Sequence, residues 1–213
     1  PVAMLRELRP GFLRFPVDCA DEGASENAPD WRRALGPIEN RLSQPAGSRH
    51  AWLGVHEYLL LCEQLGASAM FEFVPCQGPT GADAVRSAID AVTYALGPIA
   101  TPYGAMRAAA GHPAPFDLRY LAVDNGGQDG EKLCQALADG FPQLSLIANR
   151  IPGAPIQVLD ERVPIQPGDL PALAHRYDGY DRQGPRIHVR GSVCNADTLG
   201  GMLGEIGRAS CRE

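Results

Sequence analysis

The 213-residue chain lacks the features that mark several classes of protein. Lysine occurs once, at Lys132, and 19 basic residues are outnumbered by 25 acidic ones, which gives a net charge of −6. The basic residues are scattered, so the sequence predicts no nucleic-acid-binding face. No apolar run approaches the roughly eighteen residues of a membrane-spanning helix. We therefore expect neither a nucleic-acid partner nor a membrane span, and the composition leaves the cellular compartment open.

Signals for metals and cofactors are equally scarce. The six cysteines include no CxxC pair, and the five histidines form no HExxH motif. This set favours neither a disulfide framework nor a zinc site. No GxGxxG sequence follows an apolar run, so a dinucleotide site has little support. We expect no metal ion and no cofactor.

What the chain does contain is an alternation of short apolar runs with helical repeats. Strands are predicted at residues 11–16, 69–74, 120–123, 144–148, 155–159 and 186–189. Helices are predicted at residues 55–65, 83–96, 131–138 and 170–175, with Gly66 as a C-terminal cap and Asp83 as an N-cap. The strands are continuously apolar, which predicts a parallel α/β sheet covered by helices. On pattern alone, a (β/α)8 barrel and an open doubly wound sheet both fit.

The end of the chain calls for a separate interpretation. Residues 205–213 read like the translation of a sequencing adapter, so we exclude them from the fold. We expect residues 1–204 to form one partial domain, with native sequence continuing beyond it.

A ten-residue motif, Arg107 to Phe116, leads into the predicted strand that ends at Asn125. This stretch closely resembles the signature of glycoside hydrolase family 51, the α-L-arabinofuranosidases. Further matches follow the same order along the chain, at residues 9–16, 36–41, 57–67, 141–149 and 177–189. The resemblance covers nearly all of residues 6–204 and is greatest to the eukaryotic branch of the family.

The resemblance implies a partial (β/α)8 TIM barrel whose first and last strands lie outside this chain. It also implies retaining hydrolysis of terminal arabinofuranosides in plant cell-wall polysaccharide. Such an active site lies at the carboxyl ends of the strands. Retention needs two carboxyl groups about 5–5.5 Å apart, one as acid/base and one as nucleophile.

Both catalytic positions of the family are occupied by glycine. Gly126 stands where the family has its acid/base glutamate, and Gly191 stands where it has its nucleophile. Glycine can neither protonate a leaving group nor attack carbon. Asp124 and Asp129 are the carboxylates that could substitute for the missing pair, although both also fit as ordinary loop or helix-end charges.

Two polar residues match sugar-binding positions of the family. Asn125 corresponds to an asparagine that hydrogen-bonds the sugar, but Asn followed by two glycines also suits a tight turn. Arg14 corresponds to an arginine near the site, and its alternative role is an ion pair with Asp18 or Glu22. Other strand ends also depart from the family, at Val17–Asp18 and Val74–Pro75.

These observations support three hypotheses. The preferred one is a catalytically inactive, pseudoenzyme barrel that acts as a structural or interaction subunit with protein partners. The second is a carbohydrate-binding module for arabinose-containing polysaccharide. The third is an active α-L-arabinofuranosidase, through relocated carboxylates or because the two glycines are sequence errors.

Overall fold

The computed structural model describes residues 2–17, 30–41, 53–73, 81–123, 127–149, 155–162 and 175–190. The chain divides into two compact units, residues 1–156 and 157–213. Asp124, Asn125, Gly126 and Gly191 lie outside the described residues, as does all of the helix predicted at 170–175 except its last position. His175 itself lies in a turn.

The first unit alternates helices and strands. Its elements are α1 (Val2–Glu7), β1 (Phe12–Val17), two 3-10 turns (Trp31–Ala34 and Ile38–Arg41), α2 (Val55–Leu65), β2 (Ser68–Phe73), α3 (Gly81–Leu96), α4 (Pro102–Ala109), β3 (Leu118–Val123), α5 (Gly127–Gly140) and β4 (Ser145–Ala148). The second unit contains β5 (Val158–Arg162) and β6 (Arg186–Arg190). No helix in this described part of the chain is long and apolar enough to cross a membrane.

Most predicted elements are confirmed, while helix α1 and the two 3-10 turns were not predicted and several boundaries needed correction. Helix α3 begins at Gly81, so Asp83 lies in its first turn and is not the N-cap. Helix α5 begins at Gly127, four residues before the predicted start. Strand β5 begins at Val158, later than predicted. Helix α4 was not predicted; it is a short helix capped by the Thr101 hydroxyl, which accepts a hydrogen bond from the Gly104 amide.

The strands of the first unit are parallel and in the order β1, β2, β3, β4. Their register places Val17 beside Phe73, Phe73 beside Val123, and Val123 beside Ala148. The four strands therefore end at the same level, and the predicted parallel sheet is confirmed. In the second unit, β5 and β6 are also parallel, with Asp160 beside His188.

The sheet of the first unit buries one face against helices. Phe15, Phe71, Leu121 and Leu146 belong to the core cluster that also contains residues of α2, α3 and α5. The Phe15 ring stacks on Tyr58 of α2 at 4.5 Å between centroids. Each such side chain contributes about 1.5–3 kcal/mol by leaving water. Because side chains alternate along a strand, the intervening residues occupy the far face, the sheet face turned away from these helices.

Tyr58 also holds two strands together through its hydroxyl. The hydroxyl donates to the Leu13 carbonyl of β1 and accepts from the Met70 amide of β2 at 3.0 Å. The β2–β3 register shifts between Ala69 and Met70. The tyrosine thus satisfies the Met70 amide at this bulge, where the regular ladder is interrupted. Helix α2 ends at Gly66 in the left-handed conformation (φ 67°), which confirms the predicted C-terminal cap.

Arg107 of α4 is fully buried, and its hydrogen-bond acceptors in the described part of the chain are backbone carbonyls. Its guanidinium donates to the Tyr94 and Ala95 carbonyls at 2.8 and 3.3 Å, and to the His112 and Pro113 carbonyls at 3.0 and 3.1 Å. The first two carbonyls lie in the last turn of α3, where helix carbonyls lack intrahelical partners. The guanidinium therefore joins the end of α3 to the chain that enters β3.

We expect Arg107→Met to lower the free energy of unfolding by about 2–5 kcal/mol, because four backbone carbonyls, two of them buried, lose the Arg107 donor. Urea denaturation followed by circular dichroism measures this change. The control is Arg119→Met, because Arg119 is exposed and pairs only locally with Asp117. Equal effects of the two substitutions would contradict a bracing role for Arg107.

His56 of α2 is a buried histidine, 8% exposed. Its Nδ1 lies 2.9 Å from the Tyr94 hydroxyl, and its ring meets the Phe116 ring edge-on. Burial lowers the pKa of His56 below its ordinary value, because the charged imidazolium loses its hydration. The folded protein therefore holds this side chain neutral.

A lowered pKa in the folded state means that the unfolded chain binds more protons at acidic pH. Above about pH 6.5, His56 should therefore leave the free energy of unfolding unchanged. As the pH falls below this value, the unfolded chain takes up the proton more readily, and the free energy of unfolding should decrease. The slope due to this one group is at most about 1.4 kcal/mol per pH unit. Denaturation curves over this range should show a steeper loss in the wild type than in His56→Phe. His175→Asn, at an exposed histidine, should keep the wild-type slope.

Candidate functional site

The level strand ends of the first unit define one edge of the sheet. In the sequence, Asp124 to Gly126 come directly after the last residue of β3, and Asn149 comes directly after β4. In open and closed parallel α/β sheets, ligands bind at the carboxyl ends of the strands. This edge is therefore the candidate site, and the described residues nearest to it on the far face of the sheet determine its chemistry.

The far face carries an ion pair between β1 and β2. Arg14 of β1 donates from Nε to Oε2 of Glu72 at 2.8 Å and from Nη2 to Oε1 at 2.7 Å. The two side chains are 17% and 15% exposed. Two parallel N–H···O bonds are the strong geometry for guanidinium and carboxylate. Both Glu72 oxygens accept hydrogen bonds from Arg14, so this carboxylate is engaged in the ion pair.

This pair adds one residue to those that the sequence suggested. Asp18 and Glu22, the suggested partners of Arg14, lie outside the described residues, so that pairing stays a prediction; the described partner is Glu72. Sequence reasoning missed Glu72, although β2 carries a signal, since its six residues, Ser-Ala-Met-Phe-Glu-Phe, contain one charged side chain. A lone charge in a buried strand indicates a partner on a neighbouring strand.

Apolar and aromatic side chains adjoin this ion pair on the far face. Phe12 of β1 and Tyr120 of β3 meet edge-to-face at 6.1 Å between ring centroids. In the strand register, Met70 lies beside both Arg14 and Tyr120, and it is buried, 2% exposed. The ion pair is therefore held among apolar residues.

The second unit contains its own buried acid. Asp160 is 5% exposed, and its Oδ1 lies 2.8 Å from His188 Nδ1 on the adjacent strand. The strand predicted at 155–159 ends before Asp160, but Asp160 occupies the middle of β5. Glu161 accepts hydrogen bonds from Arg176 and from the Tyr177 hydroxyl, both at 2.6 Å. These carboxylates are engaged in structural contacts within the unit.

The structure thus tests few of the expected site residues directly. Arg14 is the third of the six residues of β1, so it lies on the far face within the strand. Asp129 lies in the first turn of α5, not in the loop before it. Asp124, Asn125, Gly126 and Gly191 fall outside the described segments. Within those segments, no three His, Cys, Asp or Glu side chains are grouped so that they could hold a metal ion.

Comparison with known proteins gives the family. Residues 4–182 match the family model of the "Alpha-L-arabinofuranosidase 1 domain". The chain belongs to the α-L-arabinofuranosidases of glycoside hydrolase family 51. The resemblance carried by Arg107 to Phe116 is thereby confirmed.

Two plant proteins and one solved structure illustrate the relationship. Alpha-L-arabinofuranosidase 2 of Arabidopsis thaliana is 30% identical over 97% of this chain and 35% of its own length. Alpha-L-arabinofuranosidase 1 of the same plant is 26% identical over 87% of this chain and 31% of its own length. The arabinose-bound MgGH51 α-L-arabinofuranosidase superposes with a TM-score of 0.72 at 25% identity, over 87% of this chain and 34% of that one. The chain spans about a third of the length of these relatives.

The relationship also decides between the two folds that the pattern allowed. Family 51 neighbours and the parallel helix-covered strands show a partial (β/α)8 barrel, not an open doubly wound sheet. In such a barrel, the face turned away from the helices lines the interior. The Arg14–Glu72 pair therefore lies inside the barrel wall.

We expect Glu72→Gln to lower the free energy of unfolding by about 1–3 kcal/mol, because Arg14 loses a charged, two-bond acceptor. Replacing both residues in Arg14→Met/Glu72→Met should recover part of that loss, since no buried charge is left alone. Urea denaturation of Glu72→Gln, of the single variants Arg14→Met and Glu72→Met, and of the double variant forms the measurement. A loss in the double variant equal to the sum of the losses in Arg14→Met and Glu72→Met would show that the pair is not coupled.

Proposed function

We propose that this chain is an α-L-arabinofuranosidase-like barrel that does not hydrolyse glycosides and acts as a structural or interaction subunit. The observation that carries the proposal is the presence of glycine at both matched catalytic positions, Gly126 and Gly191. Retaining hydrolysis requires a carboxyl group at each position. One loss removes the proton donor, and the other removes the covalent route.

The contacts of the family signature support this reading, because they are packing contacts. Arg107 braces α3 through backbone carbonyls. His112 stacks on Phe116 at 3.8 Å between ring centroids, and its Nε2 lies 3.1 Å from the Glu63 carboxylate of α2. Residues that maintain the helix layer can persist without any requirement for catalysis. Membership in the family therefore supports the fold and does not by itself supply an activity.

The described carboxylates also offer little for relocated catalysis. Glu72 is occupied by Arg14, and Asp160 by His188. A general acid must release its proton to the leaving oxygen, and a nucleophile must present a lone pair to carbon. A carboxylate that is held by a guanidinium or an imidazole is stabilised in that contact, and acting on a substrate would require breaking it. Asp124 is the substitute that a test must address.

The first test is hydrolysis of an aryl α-L-arabinofuranoside by the full chain. We expect a rate at least about 10⁴-fold below that of a family member carrying both glutamates, because the acid and the nucleophile are both absent. Activity that disappears in Asp124→Asn would overturn the proposal and assign catalysis to a relocated carboxylate. Activity could also be unaffected by Asp124→Asn while the genomic locus carries glutamate codons at 126 and 191. That result would overturn the proposal as well, because the two glycines would then be sequence errors.

The second test separates an interaction subunit from a sugar-binding module. The two plant relatives are named as α-L-arabinofuranosidases, so arabinoxylan is the polysaccharide to use. We expect no saturable binding of arabinoxylan. We also expect the natural protein to elute from a size-exclusion column as part of a defined assembly. Saturable binding that is lost in Asn125→Ala and kept in Asn149→Ala would instead establish a carbohydrate-binding module. Asn149 is the matched control because it follows the neighbouring strand at the same edge.

A further inference from the structure

A cavity of about 540 Å³ lies in the helix layer of the first unit, away from the carboxyl edge of the strands. It is bounded by α2, α3, α4 and the two 3-10 turns. Its lining residues include Leu35, Ile38, Arg41, His56, Tyr94 and Met106. The volume falls within the range of about 300–1,000 Å³ that small-molecule sites occupy. Nothing in the proposed function of the barrel uses this cavity.

The walls are mainly apolar, and two apolar side chains stand at the surface. Ile38 is 43% exposed and Met106 is 46% exposed. Ala109 of α4 is a small residue on the same wall and is also exposed. A wall of this kind favours a ligand with a compact apolar body.

The charged residues of the cavity neutralise one another. Arg41 is 4% exposed and donates to both Glu57 oxygens, at 2.9 and 2.8 Å. Its Nε also donates to the Gly36 carbonyl at 3.0 Å. The guanidinium and the carboxylate therefore leave no net charge for a ligand to complement. An uncharged ligand suits such a wall, since a charged one would lose its hydration without gaining a counter-ion.

His56 supplies the polar contact. It is more than nine-tenths buried, and its only hydrogen bond within the described residues joins Nδ1 to the Tyr94 hydroxyl at 2.9 Å. If the hydroxyl donates to Nδ1, the imidazole proton sits on Nε2. If the direction is reversed, the buried tyrosine proton loses its acceptor as well. The first arrangement leaves fewer unpaired groups, so Nε2–H is the donor that a ligand would meet.

We propose that this cavity is a binding site for a small uncharged ligand with an apolar body and one hydrogen-bond acceptor oxygen, such as an aryl ketone. His56 Nε2–H donates to that oxygen, and the apolar body packs against Leu35, Ile38 and Met106. The site is independent of hydrolysis at the barrel edge. Its presence or absence therefore does not bear on the proposed lack of activity.

The test compares two probes of the same shape. Acetophenone carries a carbonyl oxygen, and α-methylstyrene replaces that oxygen with a methylene group. We expect acetophenone to bind about five- to tenfold more tightly, because only it accepts the His56 hydrogen bond. Amide shifts in ¹H–¹⁵N NMR titrations measure both affinities and should concentrate at Met106, Ala109 and Ala110. No saturable shifts at these residues would overturn the proposal.

Two variants complete the experiment. His56→Phe should reduce acetophenone affinity to that of α-methylstyrene, while leaving α-methylstyrene affinity within about twofold. Ala109→Leu should weaken both probes by narrowing the cavity, and Ala105→Leu, on an exposed part of the same helix that does not line the cavity, should weaken neither. Ala109 lies on the surface, so its substitution tests the site even if His56→Phe fails to fold. Equal effects of the two alanine substitutions would contradict the site.

Discussion

The alternation of side chains along the four parallel strands of the first unit determines which residues are buried, how the strands are aligned and where they end. One set, which includes Phe15 and Phe71, must leave water against α2 and its neighbours. A one-residue slip would turn every strand side chain to the wrong face, so this burial fixes the register. The fixed register aligns Val17, Phe73 and Val123. The strand ends, and the site that follows them, are level because the opposite face is buried.

The helix layer that covers these strands also contains the residues that identify the family. The signature lies on the helix side, where Arg107 holds backbone carbonyls and His112 stacks on Phe116. Losing such contacts would cost folding free energy, since buried carbonyls would lose a donor. The signature therefore maintains the fold, and the fold by itself does not supply an activity.

Both faces of the barrel wall carry charged or ionisable side chains that are largely removed from water. On the interior face, Arg14 and Glu72 form a nearly buried pair beside apolar residues. On the helix side, Arg41 is paired with Glu57, and buried His56 is held neutral. Charges in both places are neutralised in pairs, as removal from water demands. What distinguishes the helix side is the cavity next to His56, where an imidazole nitrogen has no partner among the described residues.

Local patterns in the sequence determined the helix over 55–65, its Gly66 cap and the apolar strands, because spacing and backbone preference act over a few residues. The sequence also determined the family, through the stretch from Arg107 to Phe116. Only the tertiary structure paired Arg14 with Glu72, placed His56 against Tyr94 and began α5 at Gly127. These features join residues up to 58 positions apart or depend on packing at an element's end. Such contacts exist only after the register and the helix layer have formed, and no local pattern contains them.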